Sequence, residues 1–341
     1  MKIVLGMSGG VDSCVAAKIL KEQGFEVVGC CLLLTPDASS DSEAALRARQ
    51  AADRMGIDLV VADCREEFRK TVMQPFAEAY FAGRTPNPCV DCNPGVKIRS
   101  LCRVADELGI EAVATGHYAR IDRKTNSLLC APTKKDQTYF LYRLTPEQLS
   151  RLHFPLGEFS EKADVRALAQ NAGFDAANAK DSQEICFLPD GDYTSFLLSS
   201  FPDMPSKEGN FLDIHGNIIG RHKGIIHYTA GQRKGLGAFG KPMYVKRICP
   251  QDNTVILCTA EERFADTLTA TDLSWCSGEA PADSFEALVK IRSTARPAPA
   301  KITLHDGRAD VAFETAQLSP SPGQSAVFYD GDRVLGGGFI E

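Results

Sequence analysis

Ile3-Val4-Leu5-Gly6-Met7-Ser8-Gly9-Gly10-Val11-Asp12-Ser13 begins as an apolar run and ends as two glycines set among hydroxyl and carboxylate side chains. Directly after it, Val15, Ala16, Ile19 and Leu20 recur at helical spacing, and Gly24 supplies a stop. Strand, loop and helix therefore follow one another. Gly9 and Gly10 permit a tight turn that brings backbone N–H groups close to a ligand, Ser8 and Ser13 add hydroxyl donors, and the helix N-terminus favours an anion. The stretch reads as a phosphate cradle. It lacks the Lys-Ser/Thr ending of a Walker loop and the third glycine of a dinucleotide fingerprint, which disfavours both of those sites.

Working outward, Glu26 to Leu34 reads as a buried strand, and the polar loop Thr35 to Asp41 leads into a helix from about Ser42 to Met55. A strand over Asp58 to Ala62, a helix over Arg65 to Ala82, a loop from Gly83 to Pro94, a helix over Val96 to Leu108 and a strand over Glu111 to Thr115 follow. This alternation predicts an α/β fold with a parallel sheet covered on both faces and ligands at the carboxyl ends of its strands, where the glycine loop and Thr115-Gly116-His117-Tyr118 both fall. Asp164 to Ala172 is a further helix, and the loop Asp175 to Pro189 carries Cys186. From about Met204 glycine and proline become frequent and apolar runs become short, which suggests small β-rich modules. The resulting division is a catalytic domain over residues 1–202, a small central domain over 203–265 and a barrel-like C-terminal domain over 266–341.

A chain of 341 residues can bury a sizeable core across two or three domains. It has no apolar run long enough to span a bilayer, and MKIVLGM enters a strand instead of a signal peptide, so a cytoplasmic protein without membrane association is expected. The net charge of −6 argues against a whole-surface nucleic-acid binder but leaves room for a local basic face. One such face stands between Arg221 and Arg247, where Arg221, Lys223, Arg233, Lys234, Lys241, Lys246 and Arg247 occur with no acidic residue. His222, His227, Tyr228, Phe239 and Tyr244 interleave with them, either to stack on exposed bases or to pack beneath the charges.

Twelve cysteines in a chain with no secretory signal point to reduced thiols, ligands or catalysts, and most of them sit in apolar patterns as small core hydrophobes. Cys89-Val90-Asp91-Cys92 stands apart in a proline-fenced stretch read as a stiff loop. A closed zinc site would need further ligands, and no second C-x-x-C exists. Three readings stay open: ordinary surface thiols; one nucleophilic cysteine working with a distant sulfur-carrying one, for which Cys186 is the candidate; or Cys89, Cys92 and Cys186 as three ligands of an iron–sulfur cluster. His117 is a site candidate because of its neighbouring glycine and its place at a strand end.

SGGVDS resembles the PP-loop of the ATP pyrophosphatases, which cleave ATP to AMP and pyrophosphate while adenylating a substrate oxygen. The motifs PNP-x-x-x-CN, ATGHYAR, KDQTYFL, KDSQEICF, GQRKGLG and PGQSAVFYDG, all downstream of it, resemble those of the tRNA-specific 2-thiouridylases, and the match runs from Met1 to Gly336-Gly337-Gly338. The resemblance implies Cys92 as nucleophile and Cys186 as the persulfide-bearing cysteine. It implies nucleotide contacts at Gly6, Met7, Ser8, Gly9, Gly10, Val11, Asp12, Ser13, Leu32 and Gly116. Asn87, Pro88 and Cys89 match the segment that meets the target base, while His117, Lys135, Asp136, Gln137, Arg292, Ser293 and Gln324 match tRNA-contacting positions. Arg233 and Lys234 join them from the basic face. Many members carry an aspartate where this sequence has Cys89, so a carboxylate role cannot operate there. The implied reaction is ATP- and Mg²⁺-dependent thiolation of a tRNA wobble uridine with sulfur from a cysteine desulfurase or relay protein. The competing expectations are the same reaction through an iron–sulfur cluster, another PP-loop synthetase, or a nucleotide-switched RNA-binding protein without catalysis.

Overall fold

The computed structural model describes residues 1–174, 185–188, 190–204 and 206–341. Most of the loop Asp175 to Pro189, and with it the first part of KDSQEICF, lies outside the described residues; Cys186 lies within them.

The first sheet is parallel throughout, in the order β3-β2-β1-β4-β7, formed by β1 (Lys2–Gly6), β2 (Glu26–Leu33), β3 (Asp58–Asp63), β4 (Ala112–Ala114) and β7 (Leu152–His153). Successive side chains of a strand point to opposite faces. Ile3 and Leu5 accordingly enter one apolar cluster, with Val15, Ala16 and Leu20 of helix α1 (Val11–Glu22), while Val4 enters the other, with Leu101 and Val104 of the helix that precedes β4. A strand apolar on both faces must be covered on both, which is why helices flank the sheet. Ile3, Val4 and Leu5 are fully buried, each worth about 1.5–3 kcal/mol of transfer free energy. The strand order reverses between β1 and β4, so the loops after these two strands flank the crevice where an open α/β sheet binds its ligand.

Helix α2 (Glu43–Met55) follows β2, and the run predicted as one helix from Arg65 is α3 (Arg65–Phe68), a widened π-helical turn (Arg69–Met73) and α4 (Gln74–Phe81). The structure corrects the reading of the C-x-x-C stretch as a loop. Asn87 Oδ1 accepts a hydrogen bond from the Cys89 amide (3.3 Å) and caps a short helix, α5 (Pro88–Cys92), followed by a second π-helical turn (Asn93–Ile98) and α6 (Arg99–Glu107). Pro88 occupies the first helical position, where a missing N–H costs nothing. Pro75 and Pro94 lie inside the helical runs, where an α-register would require the N–H they lack and would press the ring onto the preceding turn. Both runs widen beside these prolines and so continue through them.

After helix α7 (Pro146–Arg151), α8 (Lys162–Asn171) and α9 (Tyr193–Ser200), β8 (Gly209–Leu212), β9 (Ile218–His222), β10 (Tyr244–Cys249) and β11 (Thr254–Cys258) form a central sheet in the order β10-β11-β8-β9. The strands β12 (Phe264–Trp275), β13 (Ser284–Lys290), β14 (Ala298–His305), β15 (Arg308–Leu318), β16 (Ser325–Asp330) and β17 (Arg333–Ile340) close into a six-stranded barrel, since β12 pairs with both β15 and β17. The expected α/β layer with two β-rich modules is therefore present. A hairpin absent from the sequence reading, β5 (Ala119–Asp122) and β6 (Ser127–Cys130), leaves the first layer and pairs with the barrel through Arg333 and Leu129.

Candidate active site

The glycine loop leaves β1 and enters α1 with Gly10 as N-cap, extended at φ −82° and ψ 166°. Gly9 stands at φ +70°, and a Cβ there would lie 2.6 Å from the Ala48 amide nitrogen, because α2 crosses directly above the turn. Glycine at position 9 is thus required twice, by conformation and by space. Ser13 Oγ donates to Gly10 O (3.0 Å), and Ser8 Oγ lies 3.4 Å from both Ser13 Oγ and the Gly10 nitrogen. Met7 and Val11 are buried, Gly6 and Gly10 half-buried, and Ser8 faces solvent, while Leu32 packs half-buried in β2. Gly116, beyond β4, approaches Asp12 so closely that a Cβ would lie 3.0 Å from the Asp12 carbonyl carbon. The two strand-end loops predicted from sequence meet here.

Asp12 projects from the first turn of α1 into an ion pair that sequence reading missed. Lys162 Nζ, at the start of α8, lies 2.6 Å from Asp12 Oδ1 and 2.5 Å from Oδ2, and Tyr118 Oη donates to Asp12 Oδ1 (2.9 Å). The ammonium also stands over the Tyr118 ring, 5.3 Å from its centre. Tyr118 and Gln137 hold each other through two bonds of 2.9 Å, Tyr118 N to Gln137 Oε1 and Gln137 N to Tyr118 O. Nothing local in Lys162-Ala163-Asp164 signals this partnership, which spans 150 residues.

Helix α5 carries the C-x-x-C with Cys92 buried and Cys89 half-buried. Burial pushes the Cys92 thiol up to about 12, the Lys97 ammonium opposes this, and Cys186, Cys89 and Asp91 add to it. Cys186 is exposed at the edge of this group, and its thiol is likewise raised by its surroundings and lowered by Lys97 and by its own backbone amide and that of Phe187. Lys97 belongs to the π-helical turn that follows Cys92. His117, whose Nδ1 lies 2.7 Å from Thr115 Oγ1, is pushed down to about 3 by burial and then by the Lys97 charge, and is neutral at physiological pH. The Lys97 charge thus acts on Cys92, Cys186 and His117, and the thiols of Cys92, Cys89 and Cys186 act on Lys97 in turn. Among the described residues no group of three His, Cys, Asp or Glu is arranged to hold a single metal ion. All twelve cysteines are free thiols.

Several residues matched to tRNA contacts have their side chains engaged within the protein. Asp136 accepts from Ala131 N (3.0 Å) and Thr138 Oγ1 (2.7 Å). Arg292 Nη2 donates to Ser319 O (2.7 Å) and Ser321 Oγ (2.9 Å), and Gln324 Nε2 donates to Thr85 O (2.8 Å). Ser293 is half-buried, Lys135 exposed, and Pro88 buried at the first position of α5. Arg233 and Lys234 are exposed, as are the other five cations between Arg221 and Arg247. Of the interleaved aromatics, His222, Tyr228 and Phe239 pack edge-to-face on Phe211, so they lie beneath the charges instead of offering stacking faces. A double charge reversal, Arg233→Glu with Lys234→Glu, is expected to weaken tRNA binding about tenfold or more near physiological salt and to lower the slope of log K against log salt by about 2; titrations at several salt concentrations check it, and an unchanged slope moves the RNA face elsewhere.

Residues 1–190 match the tRNA methyl transferase HUP domain family, residues 196–259 the tRNA methyl transferase PRC-barrel domain and residues 265–340 the aminomethyltransferase beta-barrel domain. A parallel HUP layer with a PP-loop at its switch point, followed by these two barrels, defines an ATP-using enzyme of the PP-loop superfamily. The chain is 46% identical over its whole length to the tRNA-specific 2-thiouridylase MnmA of Acetivibrio thermocellus, covering 99% of that protein. It is 42% identical, again over its whole length and 98% of the relative, to the enzymes of that name from Clostridium botulinum (strain Eklund 17B / Type B) and Clostridium perfringens (strain 13 / Type A). The chain belongs to the family of tRNA-specific 2-thiouridylases.

Proposed function

We propose that this enzyme converts the C2 carbonyl of a tRNA wobble uridine to a thiocarbonyl by adenylating the base and transferring sulfur from a persulfide on Cys186. The observation that carries the reading is the continuity of two groups of residues. The phosphate loop touches Gly116 through Asp12, and the next residue, His117, shares the Lys97 charge with Cys92 and Cys186. Adenylation and sulfur transfer thereby fall within one crevice at the strand ends.

ATP lies with its phosphates on the loop amides of Gly9 to Ser13, and Asp12 is the carboxylate suited to a Mg²⁺ ion, which when bound neutralises polyphosphate charge. The uridine O2 attacks the α-phosphorus and pyrophosphate leaves, which turns a poor oxygen leaving group into AMP. A cysteine desulfurase or relay protein loads Cys186, whose exposure suits delivery from outside. The terminal persulfide sulfur attacks C2, Cys92 as thiolate attacks the Cys186 sulfur, and AMP departs. The balance is 2-thiouridine, AMP and a Cys92–Cys186 disulfide, which a dithiol reductant returns to two thiols. The Lys97 charge favours the anion of both thiols and opposes the burial that holds Cys92 protonated. The base leaves the anticodon loop stack to reach the site, as an unpaired loop base readily does.

Cys89, Cys92 and Cys186 would be the ligands of an iron–sulfur cluster were one bound, supplying an open iron for sulfide. Anaerobic thiolation of unmodified tRNA with ATP and a persulfide donor decides between the routes. Product from metal-free enzyme is expected; product only after cluster reconstitution would replace the Cys186 persulfide step while keeping adenylation.

A further inference from the structure

The C-terminal barrel grips the short helix α5 from two sides. Upstream of the helix, the Thr85 amide donates to Pro322 O (2.7 Å) and Gln324 Nε2 donates back to Thr85 O (2.8 Å), so one residue of the lead-in segment is fastened at both of its main-chain polar groups. Between those two contacts sits Gly323 at φ +89°, where a Cβ would lie 2.9 Å from Arg84 Cβ and 3.0 Å from the Thr85 nitrogen. The turn is in its own right anchored to the barrel, with Gly323 N on Ile340 O (2.9 Å) and Ile340 N on Gln324 O (2.8 Å). Two residues beyond Thr85, Asn87 caps α5.

Within the helix, Asp91 lies between the two cysteines, 3.7 Å from Arg143 Nε. Arg143 is fixed by the barrel residue Asp272, through Nη2 to Oδ2 (2.9 Å) and Nη1 to the main-chain oxygen (3.1 Å), and it lies over the Phe339 ring, 5.0 Å from its centre. Arg143 itself belongs to the segment Thr138 to Arg143, which is seated on the barrel through Tyr139 Oη to Ser325 O (2.9 Å) and Cys276 Sγ to Tyr142 O (3.2 Å).

We propose that Gln324, Gly323, Arg143 and Asp272 are positioning residues that set α5 in place for sulfur transfer, making the barrel a brace for the thiol helix. The proposal rests on the reading that α5 carries the reacting Cys92. Helix α5 is the first turn of a helical run that continues to Glu107, so the placement of this leading end is set by what fastens the segment before it and Asp91 within it. A displacement of about 1 Å at a reacting atom is enough to cost about a hundredfold in rate. The role differs from that of an RNA contact, because the Gln324 amide is spent on Thr85 before any tRNA arrives.

The test uses the full chain in Gln324→Ala, Asp272→Asn and Gly323→Ala, with Gly307→Ala as control, since Gly307 also has positive φ (+74°) but open space around it. Amide exchange is read in the tRNA-free protein over residues 84–92 and over 325–330, and thiolation is read as kcat at saturating tRNA beside the tRNA Kd. The expected result is exchange over 84–92 about tenfold faster in the three variants, unchanged exchange over 325–330, kcat lower by about tenfold to a hundredfold and Kd within about twofold, with the control like wild type. Unchanged exchange over 84–92 overturns the brace, and a weakened Kd with unchanged exchange reassigns Gln324 to RNA contact. Faster exchange with unchanged kcat also overturns it. The exchange readout needs no turnover, so failure of the sulfur-transfer reading, shown by an active Cys92→Ser enzyme, is seen separately.

Discussion

Cys92→Ser and Cys186→Ser are each expected to lower 2-thiouridine formation to below about one-thousandth of wild type while leaving ATP binding unchanged. A serine oxygen cannot carry a transferable sulfur, nor can it attack one to give a stable disulfide. Removing either partner therefore stops the cycle instead of slowing it. The nucleotide loop is unaffected because its hydrogen bonds run among Ser8, Gly10 and Ser13, and none reaches a thiol of this group. The two variants separate when a labelled persulfide donor is added. Cys92→Ser retains label on Cys186, whereas Cys186→Ser takes up none. Mass spectrometry of the digested protein and nucleoside analysis of the tRNA read both outcomes, and thiolated tRNA from either variant would overturn the assignment of both cysteines.

Asp12→Ala is expected to lower tRNA-dependent AMP release by about a hundredfold or more, because it removes the carboxylate at the phosphate loop and releases Lys162 from its place. The effect on stability is smaller. Breaking a fully buried pair costs about 3–5 kcal/mol, but the Asp12 and Lys162 side chains keep 35% and 16% of their exposure, so about 1–2 kcal/mol is expected. Asp12→Asn keeps the Tyr118 contact geometry and removes only the charge, and it should lose AMP release almost as fully with little loss of stability. Normal AMP release by both variants would show that the loop is not the adenylation site. Lys162→Met tests the other half of the pair, with a loss of ATP affinity expected and retention of the fold.

The α/β layer was legible because its signals are local. The apolar alternation around Val4, the glycines at 9 and 10 and the helical spacing from Val15 to Leu20 each specify structure within a few residues. The phosphate loop was legible for the same reason. The helical state of Pro88 to Cys92 was not, since prolines on either side read as fences, while in the chain one starts a helix and the other lies in a widened turn. The hairpin Ala119 to Cys130 escaped because its outer partner, Arg333, lies about two hundred residues away.

By itself the sequence determined the parallel layer, the phosphate loop at its switch point, the β-rich remainder and the identity of the thiols, because residue type and short-range spacing carry all of these. Only the tertiary structure decided that Lys162 pairs with Asp12, that the Lys97 charge reaches Cys92, Cys186 and His117, and that Gln324 fastens Thr85. Those partnerships depend on which surfaces the packed layers bring together. A charge or an amide has no preferred partner until burial removes water as the alternative, and that happens only when distant segments close over it.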